Sequence, residues 1–502
     1  MTGYRRAAIG GAWLLAAMVL VFAAWHRIPW PDEGHFVQPP YYLLSEGKFA
    51  TKTVDATASG LLRADQRTYW TMPLHSFLMS GWFLVFGVSL FGARMMTVLL
   101  LPVLGWQTYR IARLVTRDEA TAAWAAVLMP LEYVVLYTSS WARPDVLCAV
   151  LGLGGICWYL GRREASLRQA LWGASLLVTL SGLAHPNAIL HGAGLAFLVL
   201  YYDRRRLTAG LLIGMAAAAL LAVVPYAAYV SLDWEAFTQQ MRRNAEGNDR
   251  MAAGWNPVSL VWRELVERYG LAYGQLSPGL LPRLKGVALI SYLGAVVAFL
   301  ASGALRRATS TGPIVALWAI YFAVQCVFNQ KLSVYLIHIL PLTLILVSSG
   351  AVYVWRRNRL AGVSIAAWLA LSAVVQTGGF AYVAMNRSAV AGQREAADFL
   401  KRNAGPAQRI NGSVTLVFPL RFDARLKDDR SLGLNSGIAP EVIVVEESYR
   451  ESFEGYKTRR PELLARILRR LEEYRLSYDR GGYQIYFRPD FKPGSALQRP
   501  QE

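Results

Sequence analysis

Residues 7–25 read AAIGGAWLLAAMVLVFAAW, and residues 26–35 continue HRIPWPDEGH. The first stretch carries no charge, and its length approaches the roughly 20 apolar residues a helix needs to cross a ~30 Å hydrocarbon core. Tyr4-Arg5-Arg6 precede it, as in a secretory leader. The run is long for a leader, and Trp25, Pro29, Trp30 and Pro31 follow it, so it reads as an uncleaved signal-anchor. The second stretch then sets two adjacent carboxylates, Asp32 and Glu33, just past a membrane face.

The same kind of block recurs along the chain. Candidate spans are 7–25, 94–111, 120–139, 145–160, 169–184, 187–202, 208–230, 286–304, 313–328, 333–350 and 362–382. Of 502 residues 54% are hydrophobic and 17% charged, against about 25% charged in a soluble chain. A helical solenoid or large soluble α protein needs a polar face on each helix, and many of these blocks have none. The net charge of +19 would suggest nucleic acid in a soluble protein. Here the arginines sit in short runs between apolar blocks, so the charge reads as topological. Cys148, Cys157 and Cys326 all lie inside apolar blocks and show neither disulfide nor metal spacing; they read as small core residues.

Orientation follows from the short loops. Arg110, Arg113 and Arg117, then Arg162, Arg163 and Arg168, Arg204 to Arg206, Arg306 and Arg307, and Arg356, Arg357 and Arg359 mark one side, and Arg5 and Arg6 agree with it. The alternate turns are far less basic, so the arginine-rich side is expected to be cytoplasmic. An even number of crossings must then separate the N-terminus from residues 110–117. The apolar stretch 73–91, with His75, Ser76 and Ser80 in it, is therefore expected to lie in the interface or re-enter rather than cross. The expectation is an all-α polytopic protein of the bacterial inner membrane with about eleven spans, its N-terminus cytoplasmic and its C-terminus extracytoplasmic. Residues 1–384 form the membrane domain, with external loops at about 26–93 and 231–285. Residues 385–502 form a small extracytoplasmic α/β domain with helices at 392–402 and 461–474 and strands at 409–419, 441–446 and 483–487.

Several polar residues fall on the outer side. Asp32 and Glu33 read either as a general base with a helper carboxylate or as a solvated acid pair. Arg143 and Asp145, around Pro144, are an ion pair at a helix end or part of a site. His185 in His185-Pro186-Asn187 is a ligand or a capping residue. Lys331 can meet a lipid phosphate as a point charge or snorkel to ordinary headgroups. Arg67 and His75 can face a phosphate or plain headgroups. An acid pair with scattered cations at the outer leaflet fits chemistry on a lipid-linked phosphate, and no Gly-x-x-x-x-Gly-Lys loop is present to hold ATP.

Four motifs in order resemble the GT-C integral-membrane glycosyltransferases, in the branch of protein O-mannosyltransferases, the lipid A aminoarabinose transferase and the rhizobial lipopolysaccharide core transferases. They are Pro31-Asp32-Glu33 after the first span; Met72-Pro73-Leu74 leading to Leu90-Phe91-Gly92 and Arg94; Arg143-Pro144-Asp145; and Lys331-Leu332-Ser333-Val334-Tyr335-Leu336. The resemblance covers about residues 7–350. It implies interfacial helices in the first external loop, a polyprenyl-phosphate sugar donor, and an extracytoplasmic active site. It further implies that Asp32 is the catalytic base of an inverting transfer, that Glu33 assists or positions, and that Asp145 is the second acidic position. Lys331 and Tyr335 would hold the lipid phosphate.

The chain departs from the aminoarabinose branch at Thr71-Met72-Pro73-Leu74, where that branch has Lys-Pro-Pro-Leu. A phosphate-binding lysine is absent there, with Arg67 or His75 as substitutes, which argues against aminoarabinose transfer. Protein mannosylation is also unsupported, since the large inserted domain of the eukaryotic enzymes is missing. A core-saccharide or lipid-glycan transferase is expected, within the broader class that transfers to an envelope glycan, lipid or protein acceptor. Arg143 and His185 complete the expected donor-binding set. The sequence leaves metal dependence open: Mg²⁺ or Mn²⁺ on the acidic residues is as compatible as a metal-free base. A flippase of lipid-linked sugars and a non-catalytic envelope scaffold are the competing readings. The spans' lack of charge and of internal repeats speaks against the first, and deletion of residues 388–502 would separate the second.

Overall fold

The computed structural model describes residues 3–246, 256–386 and 390–491. The middle of the second external loop (247–255) and the end of the tail (492–502) lie outside the described residues. The first helix, α1 (Gly3–His26), has 24 residues, or about 36 Å at ~1.5 Å per residue. A helix stands at each of the eleven expected spans. Five are long and apolar enough to cross a membrane on those grounds alone: α1, Leu90–Thr116, Asp145–Arg162, Ala209–Val230 and the segment that starts at Arg359. The number rises to seven if each of two bent pairs is one span.

Local chemistry reshapes three of the expected spans. The one at 333–350 opens as a 3₁₀ turn, Ser333–His338, before the α-helix Leu340–Arg357. Pro130 interrupts 120–139 with a 3₁₀ turn, Met129–Leu131, because proline lacks the N–H that would continue the ladder. Glu132 then accepts the Val135 N–H at 2.7 Å and starts Tyr133–Ser139, and the two pieces meet at 57°. The span expected at 286–304 ends at Ala301. Ser302 caps Gly303–Thr309 through the Leu305 N–H at 3.1 Å, and the chain turns by 101°. The interior is also less charge-free than expected. Glu132 is fully buried and accepts the Tyr273 hydroxyl at 2.7 Å.

The arginine-rich turns gather at one end. Arg5, Arg356 and Arg359 line one cavity, and Arg117, Arg356 and Arg357 line the next. Asp32 follows the far end of α1, so the two polar ends of the molecule stand a helix length apart.

After α1 the polar stretch expected as loop folds into α2 (Pro31–Glu46). Trp30 is its N-cap, Pro31 fills N1, where a missing N–H costs nothing, and the Glu33 carboxylate reaches back to the Trp30 N–H at 3.0 Å. Pro73–Phe86 follows, packed against α2 and Leu90–Thr116. Its 14 residues give about 21 Å, short of the hydrocarbon thickness.

The tail forms a five-stranded sheet of order β2-β1-β3-β5-β4. The strands are β1 (Ile410–Asn411), β2 (Leu426–Lys427), β3 (Val442–Val445), β4 (Arg475–Arg480) and β5 (Tyr483–Phe487). β1 pairs in parallel with β2 and β3, while β3, β5 and β4 are antiparallel neighbours. Gly481 and Gly482, with φ of 57° and 82°, supply the two left-handed residues a tight hairpin requires. Helices fall at Val390–Asn403, Glu447–Arg459 and Pro461–Glu472. The strand expected over 409–419 shrinks to two residues, because Ser413 caps a 3₁₀ turn at Val414–Leu416. The period of two divides β3 between two cores. Ile443 and Val445 face the helices Glu447–Arg459 and Pro461–Glu472. Val442 and Val444 join a core shared with Val37 and Tyr42 of α2 and Met79 and Phe83 of Pro73–Phe86. At Gly34 a Cβ would lie 2.4 Å from the Val414 carbonyl oxygen, so α2 meets the sheet unit backbone to backbone. Tyr42 donates to the Phe422 carbonyl at 2.8 Å, the Asp428 N–H donates to the Thr53 carbonyl at 2.9 Å, and Arg409 pairs with Asp55.

Candidate active site

Arg94 explains the acid pair. Its guanidinium is fully buried and uses all five N–H groups: Nε and one Nη2 hydrogen on the two Glu33 oxygens (2.8 and 2.7 Å), the others on the carbonyls of Ala24, Arg27 and Ile28. The Glu33 carboxylate also accepts the N–H groups of Trp30 (3.0 Å) and Ala142 (2.9 Å). It is fully buried with no face left for a substrate. Glu33 therefore fixes the start of α2 against the end of α1, the Leu90–Thr116 helix and the 140–144 turn. It is a positioning residue, and the helper-base form of the expectation is set aside.

Asp32, one residue earlier on the helix, points the other way. Its side chain is 39% exposed and lines a cavity of about 540 Å³. Arg143, almost fully buried, pairs with Asp32 and donates through Nε to Asp145 at 2.9 Å. Trp30 packs on the guanidinium, 4.4 Å from ring centre to Cζ. One cation thus serves two carboxylates and neutralises neither fully. Asp145 is fully buried in the first turn of Asp145–Arg162, and its Oδ1 has no hydrogen-bond partner among the described residues.

Arg143, His185 and Tyr335 line the same cavity as Asp32. The His185 Nδ1 accepts the Asn187 N–H at 3.2 Å, and its ring lies 5.5 Å from that of Tyr335. Three expected donor-binding residues do not line it. Lys331 is buried, and its ammonium donates to Glu264 (2.8 Å) and the carbonyls of Gln325 and Cys326 (3.1 Å each). All three N–H groups are used within the protein; burial lowers its pKa. Arg67 instead bridges the two external loops, donating to the Leu232 carbonyl at 3.3 Å. His75 is buried against Phe36, with neither ring nitrogen hydrogen-bonded among the described residues. Burial pushes its pKa down to about 4, against the pull of Asp145.

The sheet unit supplies a wall that the sequence reading missed. Asp428, Asp429 and Arg430 line the cavity, with Arg460 and, from the second external loop, Arg243. His35, one turn after Asp32, stands 4.0 Å from Asp428, and burial lowers its pKa in spite of that carboxylate. Nothing local in Lys427-Asp428-Asp429-Arg430 ties it to α2.

Among the described residues the acids near the cavity mouth already hold protein cations. Arg143 already occupies the space between Asp32 and Asp145, and Glu33 is saturated by Arg94. Among the described residues the group with metal-ligand spacing is Cys148, His191 and His338, whose sulfur and nitrogen donors do not suit Mg²⁺ or Mn²⁺.

The whole chain superposes on solved structures. ArnT from Cupriavidus metallidurans bound to undecaprenyl phosphate matches with a TM-score of 0.62 and 15% identity, over 97% of this chain and 98% of that one. The Archaeoglobus fulgidus oligosaccharyltransferase in its apo form matches with a TM-score of 0.60 and 11% identity, over 98% of this chain and 75% of that one. The archaeal oligosaccharyltransferase AglB from the same organism, in complex with an inhibitory peptide and a dolichol-phosphate, gives 0.52 and 13%, over 97% and 74%. The fold is of the GT-C type. An uncharacterized protein of Aquifex aeolicus is 25% identical over 193 residues, 37% of this chain and 36% of that one. The chain thus spans about a third of the length of that relative. No family model matches the chain.

Proposed function

We propose that this chain is a glycosyltransferase that moves a sugar from a polyprenyl-phosphate donor to a hydroxyl of an envelope glycan, lipid or protein acceptor. The observation that carries the reading is the placing of Asp32, a partly exposed carboxylate at the mouth of a polar cavity, on a helix end locked by Glu33 and Arg94. Asp32 takes the proton of the acceptor hydroxyl as its oxygen attacks the anomeric carbon. The bond from that carbon to the lipid phosphate oxygen breaks, and the configuration inverts. Arg143 orients Asp32, and Asp145 holds Arg143.

Arg143, His185 and Tyr335 are the cavity residues suited to the donor phosphate. Arg430, Arg460 and Arg243 also line the cavity and are the cations left for the acceptor. The folds of ArnT and AglB support the donor class, since those proteins were captured with undecaprenyl phosphate and dolichol-phosphate. In this reading the chain crosses the bacterial inner membrane eleven times, with Asp32 and the 385–502 unit outside the cytoplasm.

The test is mass spectrometry of envelope glycolipids and lipopolysaccharide from a strain lacking the chain, complemented with wild type or Asp32→Asn. One glycan is expected to lose a sugar, regain it with wild type and not with the variant. Full complementation by the variant removes Asp32 from the mechanism. An unchanged glycan profile, with lipid-linked sugar stranded on the cytoplasmic face, turns the reading towards transport.

A further inference from the structure

One turn along the helix from Asp145, three side chains from three elements converge. Cys148 lies one turn past Asp145 on Asp145–Arg162, His191 is in the first turn of Ala188–Asp203, and His338 closes the 3₁₀ turn Ser333–His338. All three are fully buried, and their ligand atoms lie within 4.8 Å of one another. The His191 Nε2 faces the His338 Nδ1 at 3.1 Å. The outward nitrogens have neutral partners: the Tyr321 hydroxyl on His191 Nδ1 at 2.8 Å and the Asn187 side-chain amide on His338 Nε2 at 3.4 Å. Space is kept for this pair. A Cβ at Gly152 would lie 2.0 Å from the His191 ring, and one at Gly194 would lie 2.8 Å from that of Tyr321.

We propose that Cys148, His191 and His338 form a site for a zinc-type transition metal. In tetrahedral zinc the ligand nitrogens stand about 3.3 Å apart, close to the 3.1 Å between His191 and His338, and the Cys148 sulfur lies within 4.8 Å of both. The Tyr321 hydroxyl can accept from His191 Nδ1, and the Asn187 amide, whose nitrogen faces His338 Nε2 at 3.4 Å, would turn its oxygen to that ring on metal binding. Binding converts the Cys148 thiol to thiolate and releases one proton to solvent. The metal and thiolate together add one positive charge. The neighbouring group of Asp32, Arg143 and Asp145 has one negative charge in excess, and Asp145 lies within electrostatic reach of His338. The metal would join the three elements one turn from Asp145. With three protein ligands the fourth position falls to water, and the site is set apart from the reacting atoms.

The experiment uses the full chain, purified in detergent without chelator and analysed for metals by mass spectrometry. About one zinc per chain is expected, falling about tenfold in Cys148→Ser and in His191→Gln. Loading the wild-type chain with Co²⁺ should give a thiolate-to-cobalt absorption band that Cys148→Ser lacks. That readout needs only the wild type to fold, so it stands if a variant does not. Wild-type chain with native elution but no stoichiometric metal, and no cobalt band, overturns the proposal and leaves a neutral hydrogen-bonded histidine pair. Zinc retained undiminished by Cys148→Ser also overturns it.

Discussion

Adjacent carboxylates at 32 and 33 meet opposite surroundings because successive helix residues point about 100° apart. Glu33 enters a pocket that Arg94 fills, and Asp32 turns to the cavity. Glu33→Gln leaves the buried Arg94 without a counter-charge, and removing one partner of such a pair costs about 3–5 kcal/mol. We expect it to lower the detergent melting temperature sharply, while Asp32→Asn, at a partly exposed pair, changes stability by about 1 kcal/mol or less. Equal melting shifts for the two would undo this division of roles. His75 gives a second residue-scale outcome. It ionises at about 6.5 when unfolded and about 4 when folded, held down by burial against Asp145, with His185 adding to the effect. Between those values the unfolded chain binds the proton that the folded chain refuses. Stability from this group is complete above pH 6.5 and falls as pH drops towards 4, by on the order of 3 kcal/mol. His75→Phe should flatten the melting temperature between pH 7 and 4.5 relative to wild type. The acid pair itself was legible in the sequence. The partners that assign its roles were not, since Arg94 is 61 residues from Glu33 and Arg143 is 111 from Asp32. Lys331 shows the same limit: its motif was visible, but Glu264, which occupies it, comes from another loop.

Apolar blocks are composition, so the places of the helices were legible, while bends and docking surfaces were not. Pro130 and Ser302 reshape their segments through single missing or added hydrogen bonds. α2 was readable in principle from Pro31 at N1 and acids in the first turn, although its two internal prolines, Pro39 and Pro40, argue against a helix by propensity. Packing prevails there, since both are buried beside Val37 and Tyr42. The sheet's dependence on α2 had no local signal at all. It rests on the closeness of Gly34 to Val414. Gly34→Val cannot be accommodated without moving the Val414 backbone, and such overpacking costs about 1–3 kcal/mol. Sugar transfer should fall with it, because the displaced unit carries Asp428 and Arg430 of the cavity wall. Limited proteolysis checks this: cleavage within the 405–440 segment should quicken in Gly34→Val while the membrane helices stay protected. Unchanged proteolysis and activity would mean that the sheet unit does not depend on this contact.

At the scale of the molecule, charge and chemistry lie at opposite ends. Arg5, Arg117, Arg356 and Arg359 crowd one end. Asp32, His185, Asp428 and Arg460 crowd the other. Arginine-rich short loops are retained in the cytoplasm during insertion, so the orientation of the whole chain can be read from two positions, one on each side. Ser310, in the exposed turn after Gly303–Thr309, belongs to the arginine end, and Glu451, on Glu447–Arg459, to the sheet unit; both are exposed. The native cysteines are all buried and can stay in place, which keeps Cys148 with its histidine neighbours. In intact spheroplasts a membrane-impermeant maleimide should label Glu451→Cys within minutes and leave Ser310→Cys untouched until the membrane is permeabilised. The reverse pattern would put Asp32 in the cytoplasm, where nucleotide-sugars are the accessible donors, and would reject a lipid-linked donor presented from outside. Labelling of both positions in intact spheroplasts would require an odd crossing between them to be lost, which points first to Gly312–Val327, whose 16 residues reach only about 24 Å.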